Sequence, residues 1–344
     1  MKLIVQIPCF NEEATLPETI RDIPRQIAGI DTVEILVVDD GSSDRTAEVA
    51  RECGADHVVR HPQNKGLAFA FRTAIDASLG RGADIIVNTD ADNQYRGADI
   101  PKLIEPILEA KADIVVGDRN PGGNPHFSIG KKGLQIFGSA VVRRLSRIAI
   151  PDAVSGFRAM SRDAALQINI VSSFSYTIEM LIQAGAKRLH VVSVPIGTNG
   201  KTRESRLFSS IPQFIRRSGV TILRSYAMYR PLRVFFLIGG LFLALGALPI
   251  LRFIYFYAVG DGGGHIQSLV LGGVLLIIGF ITLLFGLLAD LIGFNRQLIE
   301  MALQRVAKIE LGQRHADTAT ATRKTAIDTR ALREEIAALR RRQS

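Results

Sequence analysis

Two apolar runs near the C-terminus limit the architecture more than any other feature of the chain. Val234–Leu251 contains no charged residue, and its apolar character continues past Arg252 to Tyr257. Ser268–Ala289 is likewise uncharged and ends at Asp290. Each run is long enough, as a helix, to cross a hydrocarbon core of about 30 Å. The linker GDGGGHIQ carries no Lys or Arg, whereas Arg230 and Arg233 flank the first run and Arg296 and Arg305 follow the second. Cytoplasmic flanks favour positive charge, so the pattern predicts a helical hairpin with both ends in the cytoplasm and a short outer loop. A hairpin buried in a soluble core is the alternative. Arg252, near the outer end, can snorkel to the interface.

The remainder is less apolar. The formal net charge is +9 with 22% charged residues, yet the mean hydropathy is +0.19. That combination fits a soluble portion joined to a very apolar one. The two cysteines, Cys9 and Cys53, lie outside any CxxC pattern, which argues against a disulfide scaffold or a zinc site. MKLIVQIPCF has too short an apolar run for a signal peptide and merges into a strand. The N-terminal part is therefore expected in the cytoplasm. Positive charge suits nucleic acid, anionic lipid or phosphorylated substrates. Nucleic-acid binding would need basic residues interleaved with stacking aromatics on one face. Here Arg216, Arg217, Arg224 and Arg230 instead crowd the membrane-proximal half beside Phe208, Ile211, Phe214 and Ile215. Residues 207–232 read as basic amphipathic helices on a membrane surface, or as an ordinary packed helix pair. The Ala-, Arg- and Thr-rich tail after Gly312 reads as disordered or as a solvated helix.

From Met1 to Val194, apolar runs alternate with amphipathic stretches. Leu3–Ile7, Glu34–Val38, His57–Val59, Asp84–Asn88, Asp113–Val116 and Leu189–Val194 read as strands, several apolar nearly throughout. Glu13–Gln26, Asp44–Cys53, Gly66–Leu79 and Ile100–Glu109 read as helices, with Asp44 a plausible N-cap. The alternation predicts an α/β fold with a mostly parallel sheet. Ligands in such sheets collect beyond the carboxyl ends of the strands. Three polar clusters fall there: Pro8–Glu13, Asp39–Asp44 and Asp90–Gln94.

The last cluster is the most informative chemically. TDADNQ (Thr89–Gln94) follows the run Ile85-Ile86-Val87. In an extended segment Asp90, Asp92 and Gln94 share one side. Oxygen-only ligands suit Mg2+ or Mn2+, usually completed by substrate phosphates. A solvated acidic turn is the plainer alternative. In PCFNEE a helix starting near Glu12 would turn free backbone N–H groups and Asn11 toward the cleft. In VVDDGSSD, Asp40 suits a base or ribose contact and Asp44 suits capping. No G-x-G-x-x-G follows a strand, and GKK at Gly130 lacks the rest of a P-loop.

PCFNEE, VVDDGSSD, TDADNQ, DAVSGFRA (Asp152–Ala159) and TRESRL (Thr202–Leu207) together resemble family 2 glycosyltransferases in order and spacing. More narrowly, residues 1–232 are similar to polyprenyl-phosphate sugar synthases of the dolichol-phosphate mannose synthase type. The resemblance implies a GT-A fold, a nucleotide-sugar donor (UDP- or GDP-linked), a divalent metal and inversion at the anomeric carbon. It puts Pro8, Phe10, Glu12 and Asp40 at the nucleoside, with Asp40 reading the base. Asp90, Asp92 and Gln94 fall on the metal site. Arg119, in GDR, falls on the family's GSR arginine, and Asp118 departs from its serine. Arg158, Arg203, Ser205 and Arg206 fall on the acceptor-phosphate side, although TRESRL lacks the family's glycine and carries Arg for Lys. Asp152 is the candidate base, or else it orients Arg158. A processive synthase would carry Q-x-x-R-W, and this chain has no tryptophan.

The expected organisation is a catalytic domain over 1–206, surface helices over 207–232, a transmembrane hairpin over 233–294 and a cytoplasmic tail over 295–344. The expected protein is a prokaryotic inner-membrane enzyme with room for a homo-oligomer, whose partners are the donor, a polyprenyl phosphate and the bilayer, and not nucleic acid. Transfer to a non-lipid acceptor is the competing function.

Overall fold

The computed structural model describes residues 1–120, 129–171, 176–200, 219, 220, 222, 224, 226–260 and 265–342, with side chains left undescribed at 129–137, 311 and 314–342. Strands β1 (Lys2–Cys9), β2 (Thr32–Asp39), β3 (His57–Arg60), β4 (Ile85–Asn88), β5 (Ile114–Asp118), β6 (Arg158–Ser161) and β7 (Val191–Pro195) form one sheet in the order β3-β2-β1-β4-β6-β5-β7. All pairings are parallel except those of β6, which runs antiparallel between β4 and β5. The sequence pattern does not reveal β6. It has four residues and opens on a buried arginine, so no alternation is visible.

Strand residues point alternately to two faces, and both are apolar because both are covered. Leu3, Val5 and Ile7 of β1 join Ile35, Val37, Ile85, Val87 and Val115 on one face. Helices α1 (Leu16–Asp22) and α4 (Ile100–Leu108) cover that face through Leu16, Ile20, Leu103 and Ile104. Ile4, Leu36, Val38, Ile86, Ile114 and Val116 line the other face. There they meet α3 (Leu67–Gly80), α6 (Arg162–Gln167) and α7 (Tyr176–Ala186) through Phe71, Ala74, Ala164, Met180 and Leu181. Helix α2 (Thr46–Glu52) packs beside α1, and α5 (Ile129–Ser146) beside α7. Helix α1 is much shorter than Glu13–Gln26. Pro17 sits in its first turn, and Ile23, preceding Pro24, is extended with ψ 119°.

Two further helices leave the domain, α8 (Pro231–Ala258) and α9 (Ile266–Arg342). Both contain stretches long and apolar enough to cross a membrane. Their outer faces expose large apolar side chains, such as Leu237 at 77%, which water would penalise and hydrocarbon would not. Glycines allow the pair to approach closely: a Cβ at Gly239 would lie 2.9 Å from the Gly279 carbonyl oxygen. Arg252 does not simply extend outward; it donates to Ser268 Oγ at 3.2 Å and lies over the Phe256 ring. Past the apolar stretch, α9 continues as helix to Arg342, so the backbone of the tail is helical rather than disordered.

The extension of α9 is fastened to the sheet domain. Glu300 pairs with Lys187 at 2.7 Å and with Arg296 at 2.8 Å, all three carrying little exposed surface. Arg296 also stacks over Tyr229, 4.0 Å from its ring centre. Lys308 reaches Asp163 at 2.8 Å. An ion pair with both members largely removed from water resists single-partner loss far more than an exposed one.

Candidate active site

The carboxyl ends of β1, β2 and β4 bring together the loops after Cys9, Asp39 and Asn88. Because β6 is antiparallel, Arg158 at its start pairs with Asn88 at the end of β4. The segment Asp152–Phe157 therefore arrives at the same edge as Asp90 and Asp92. The antiparallel strand explains how a motif distant in sequence joins the site.

Beyond β4, the DxD segment is not extended. The strand ends at Asn88, Ala91 and Asp92 form a turn, and Asn93 is left-handed with φ 53°. The period-two argument for Asp90, Asp92 and Gln94 therefore fails. What groups them is the turn: Asp92 accepts from the Gln94 backbone N–H at 3.2 Å and from its Nε2 at 2.8 Å. Gln94 thus turns a donor toward Asp92. Asp90 lies against Gly156, where a Cβ would come within 2.9 Å of its Oδ1. Gly156 itself is fixed from both sides. Its N–H donates to Tyr95 Oη at 2.8 Å, and its carbonyl accepts from Asn88 Nδ2 at 2.9 Å. Burial pushes the Tyr95 phenol up to about 12, so it stays protonated. Asn88 is itself held by Gln6 and Tyr176 in a buried polar chain under the turn. Neither Asn88 nor Tyr95 stands out in the sequence, although Asn88 is a polar residue at the end of an apolar run.

Arg119 follows β5, and Asp152 grips it with both oxygens, at 2.6 Å from Nε and 2.9 Å from Nη2. Asp152 is fully buried and the Arg119 side chain is 12% exposed. Burial alone would lower the Arg119 pKa, but Tyr95, Asp152 and Asp90 hold it above its ordinary value. Asp152 thus orients Arg119, not Arg158. Arg158 is the clearest correction. Its guanidinium is fully buried and donates to the carbonyls of Ser155, Ala153 and Thr177. It ties the loop before β6 to α7 and presents no face for a phosphate. Burial draws its pKa down to about 10, which still leaves it charged at neutral pH.

On the other side of the edge, the loops after β1 and β2 are laced together. Asn11 N–H donates to Ser42 Oγ, Ser43 N–H to Asn11 Oδ1, and Glu12 N–H to Thr46 Oγ1. These amides are therefore not free, because α1 starts only at Leu16. Asp44 accepts from the Thr46 N–H at 3.0 Å, but the N-cap of α2 is Arg45, so Asp44 closes the turn before the helix and is not its N-cap. Pro8 is buried at the end of β1, Glu12 is buried and accepts from the Thr15 hydroxyl, and Phe10 is 40% exposed. Asp40 is buried and accepts from the Lys65 N–H at 3.0 Å, the Gly66 N–H at 2.7 Å and pairs with His61 Nδ1 at 2.7 Å. The segment His61–Gly66 belongs to the site and is not apparent from the sequence pattern. Its signal is Gly41, where a Cβ would strike the Gln63 backbone at 2.5 Å.

Arg203, Ser205 and Arg206 lie outside the described residues. The chain leading to them is tied to the turn after β4: Asn199 N–H donates to the Gln94 carbonyl at 3.0 Å, and Thr198 bridges Tyr95.

Two carboxylates and a carboxamide in one turn are an oxygen-only donor set, the chemistry of a hard divalent ion completed by other oxygens. Among the described residues, no group of three or more His, Cys, Asp or Glu could hold a metal unaided.

Residues 4–168 match glycosyl transferase family 2. A UDP-N-acetylglucosamine–dolichyl-phosphate N-acetylglucosaminyltransferase of Methanococcus voltae is 30% identical over 213 residues, covering 56% of this chain and 83% of that protein. A dolichol-phosphate mannosyltransferase of Pyrococcus furiosus is 34% identical over 219 residues, 60% of this chain and 59% of that protein. Among solved structures, glucosyl-3-phosphoglycerate synthase from Mycobacterium tuberculosis, in complex with Mn2+, UDP and glucosyl-3-phosphoglycerate, superposes with a TM-score of 0.52 at 21% identity. The match covers 66% of this chain and 79% of that one. It concerns the fold, a mixed GT-A-like sheet with flanking helices. Together with the carboxylate turn, the buried Arg119–Asp152 pair and the glycine between them, these likenesses assign the chain to glycosyl transferase family 2, and it is a glycosyltransferase.

Proposed function

We propose that the protein is a membrane-anchored, inverting enzyme that moves a sugar from a nucleotide-sugar to a polyprenyl phosphate. The reading rests on Asp90, Arg119 and Asp152 gathered about Tyr95, with Asp92 in the adjoining turn, in a chain that continues into an apolar helical hairpin. Relatives named for dolichyl phosphate support the acceptor class. Asp90, Asp92 and Gln94 would hold Mg2+ or Mn2+, which would stabilise charge on the departing diphosphate. Arg119, fixed by Asp152, adds a preorganised cation at the same place. Pro8, Phe10, Glu12 and Asp40 would cradle the nucleoside. The acceptor is already anionic near neutral pH, because the second pKa of a phosphate monoester is about 6. It needs positioning more than deprotonation. Residues 1–206 would carry the chemistry, and the hairpin would hold it at the cytoplasmic membrane surface.

Incubation with UDP- and GDP-sugars and either undecaprenyl or dolichyl phosphate tests the reading through the mass of the lipid product. A glycosylated soluble acceptor with no glycosylated lipid would favour the competing function.

Two substitutions probe the parts separately. Arg203→Ala should weaken use of the polyprenyl phosphate about ten- to a hundredfold, the cost of a charge-assisted phosphate contact, while leaving donor affinity unchanged. Calorimetric donor titration and acceptor-dependent kinetics check this; a collapse of donor affinity instead would move Arg203 to the donor site. Gly156→Ala should do the opposite. Its Cβ would press on Asp90 Oδ1 while Tyr95 and Asn88 prevent the loop from retreating. Donor binding that depends on Mn2+ should weaken at least about tenfold, as for loss of one charge-assisted contact, with the acceptor KM unmoved.

A further inference from the structure

A second cationic site lies away from the carboxylate turn, where the sheet domain meets the hairpin. A cavity of about 310 Å³ is lined by Ala186, Tyr229, Arg230, Leu232, Arg233, Asp290 and Gln297. Its walls come from three places: the end of α7, the start of α8, and α9 just beyond its apolar stretch. The helices are in register there. A Cβ at Gly286 would touch Phe235, so the start of α8 and Asp290 lie at one level, the domain end of the hairpin.

The cavity is electrostatically unbalanced. Arg230 and Arg233 flank the N-terminus of α8, where the helix dipole is already positive and an anion is favoured over a cation. Burial, and then the neighbouring charges of Arg233 and Arg147, lower the pKa of Arg230, so a third guanidinium from the end of α5 contributes to the same field. Among the described residues, neither Arg230 nor Arg233 forms an ion pair, and Asp290, the carboxylate in the lining, pairs with neither. Nearby Glu300 is already shared between Lys187 and Arg296. Topology accounts for basic residues beside a span. It does not account for Arg147, which comes from the sheet domain. The walls are also held in place: Arg296 packs on Tyr229, and Lys187, adjacent to Ala186, is locked to Glu300.

We propose that this cavity is a non-catalytic binding site for the phosphate group of a lipid, held by Arg230 and Arg233 at the cytoplasmic headgroup level. The inference rests on the membrane reading of the hairpin and on neither the donor nor the transfer reaction. A bilayer phospholipid and a polyprenyl phosphate present the same group, so the test must distinguish them.

The full-length protein in detergent is titrated with phosphatidylglycerol, with undecaprenyl phosphate and with uncharged diacylglycerol, and bound lipid is counted by native mass spectrometry. Wild type should retain phosphate-bearing lipid in preference to diacylglycerol. Arg230→Gln/Arg233→Gln should lose that preference by about tenfold or more, on the scale of a charge-assisted phosphate contact. Loss confined to undecaprenyl phosphate identifies the acceptor lipid as occupant; loss for phosphatidylglycerol identifies a bilayer lipid. Asp290→Asn removes the opposing carboxylate and should tighten binding, a gain that misfolding does not imitate. Equal retention of phosphate lipids by wild type and the double variant, or no preference over diacylglycerol, would overturn the proposal. Donor and metal binding, measured in parallel, should be unchanged, so failure here leaves the transferase reading intact.

Discussion

Asp92→Asn should reduce sugar transfer by roughly 10²–10⁴, corresponding to several kcal/mol of lost charge stabilisation at about 1.4 kcal/mol per tenfold, while the protein stays folded. The contacts of Asp92 make this separation testable. Its oxygens accept from Gln94, within the same turn, through the backbone N–H and Nε2 described above. An asparagine retains one oxygen to accept the backbone N–H, so the turn survives. What it loses is an anionic ligand for the proposed ion. The melting temperature should move little, because the side chain is part-exposed and asparagine is close to it in size and shape. The measurement is initial rate against Mn2+ concentration, with thermal unfolding as the control. A variant that keeps full activity in EDTA would remove Asp92 and the metal from the mechanism together.

The legible part of this chain was the part whose pattern is local. β1, β2 and β4 are apolar on both faces, and the polar clusters at their ends announce a cleft. The hairpin is legible because bilayer thickness fixes helix length. What the sequence hid depends on tertiary burial. Helix α7 carries Glu179 and Gln183 on fully packed surface, where Gln183 bonds the backbone of Asn169, so its apolar stripe is interrupted. Arg158 and Arg119 are equally arginine in a motif, yet one is enclosed by carbonyls and the other is gripped by a buried carboxylate. Asp40 reads as a ligand contact, whereas His61, Lys65 and Gly66, which hold it, are distant in sequence and signalled only by the glycine at position 41. The period-two reading of the DxD segment was wrong because the strand stops before it, at Asn88.

The Arg119–Asp152 pair decides whether the enzyme uses a dedicated base. A base needs a lone pair aimed at the acceptor. Both Asp152 oxygens are instead engaged by Arg119, and the carboxylate has no exposed surface. As a positioning pair, the two residues should behave as one unit. Arg119→Ala removes a preorganised cation and should lower kcat by roughly 10²–10³, the scale seen for one donor to developing charge. Asp152→Asn keeps the shape but loses the charge that fixes the guanidinium, so its loss should be comparable. The double variant should then be no slower than the slower single variant, because each removes the same function. Stability gives a second readout of the pair. Asp152→Ala takes the bidentate carboxylate from a mostly buried guanidinium and should cost about 3–5 kcal/mol, visible as a lowered urea midpoint. Removing Arg119 as well should recover part of that loss, since no buried cation remains without its carboxylate. A double variant whose rate losses multiply, with Asp152→Asn the more damaging single, would instead make Asp152 an independent base.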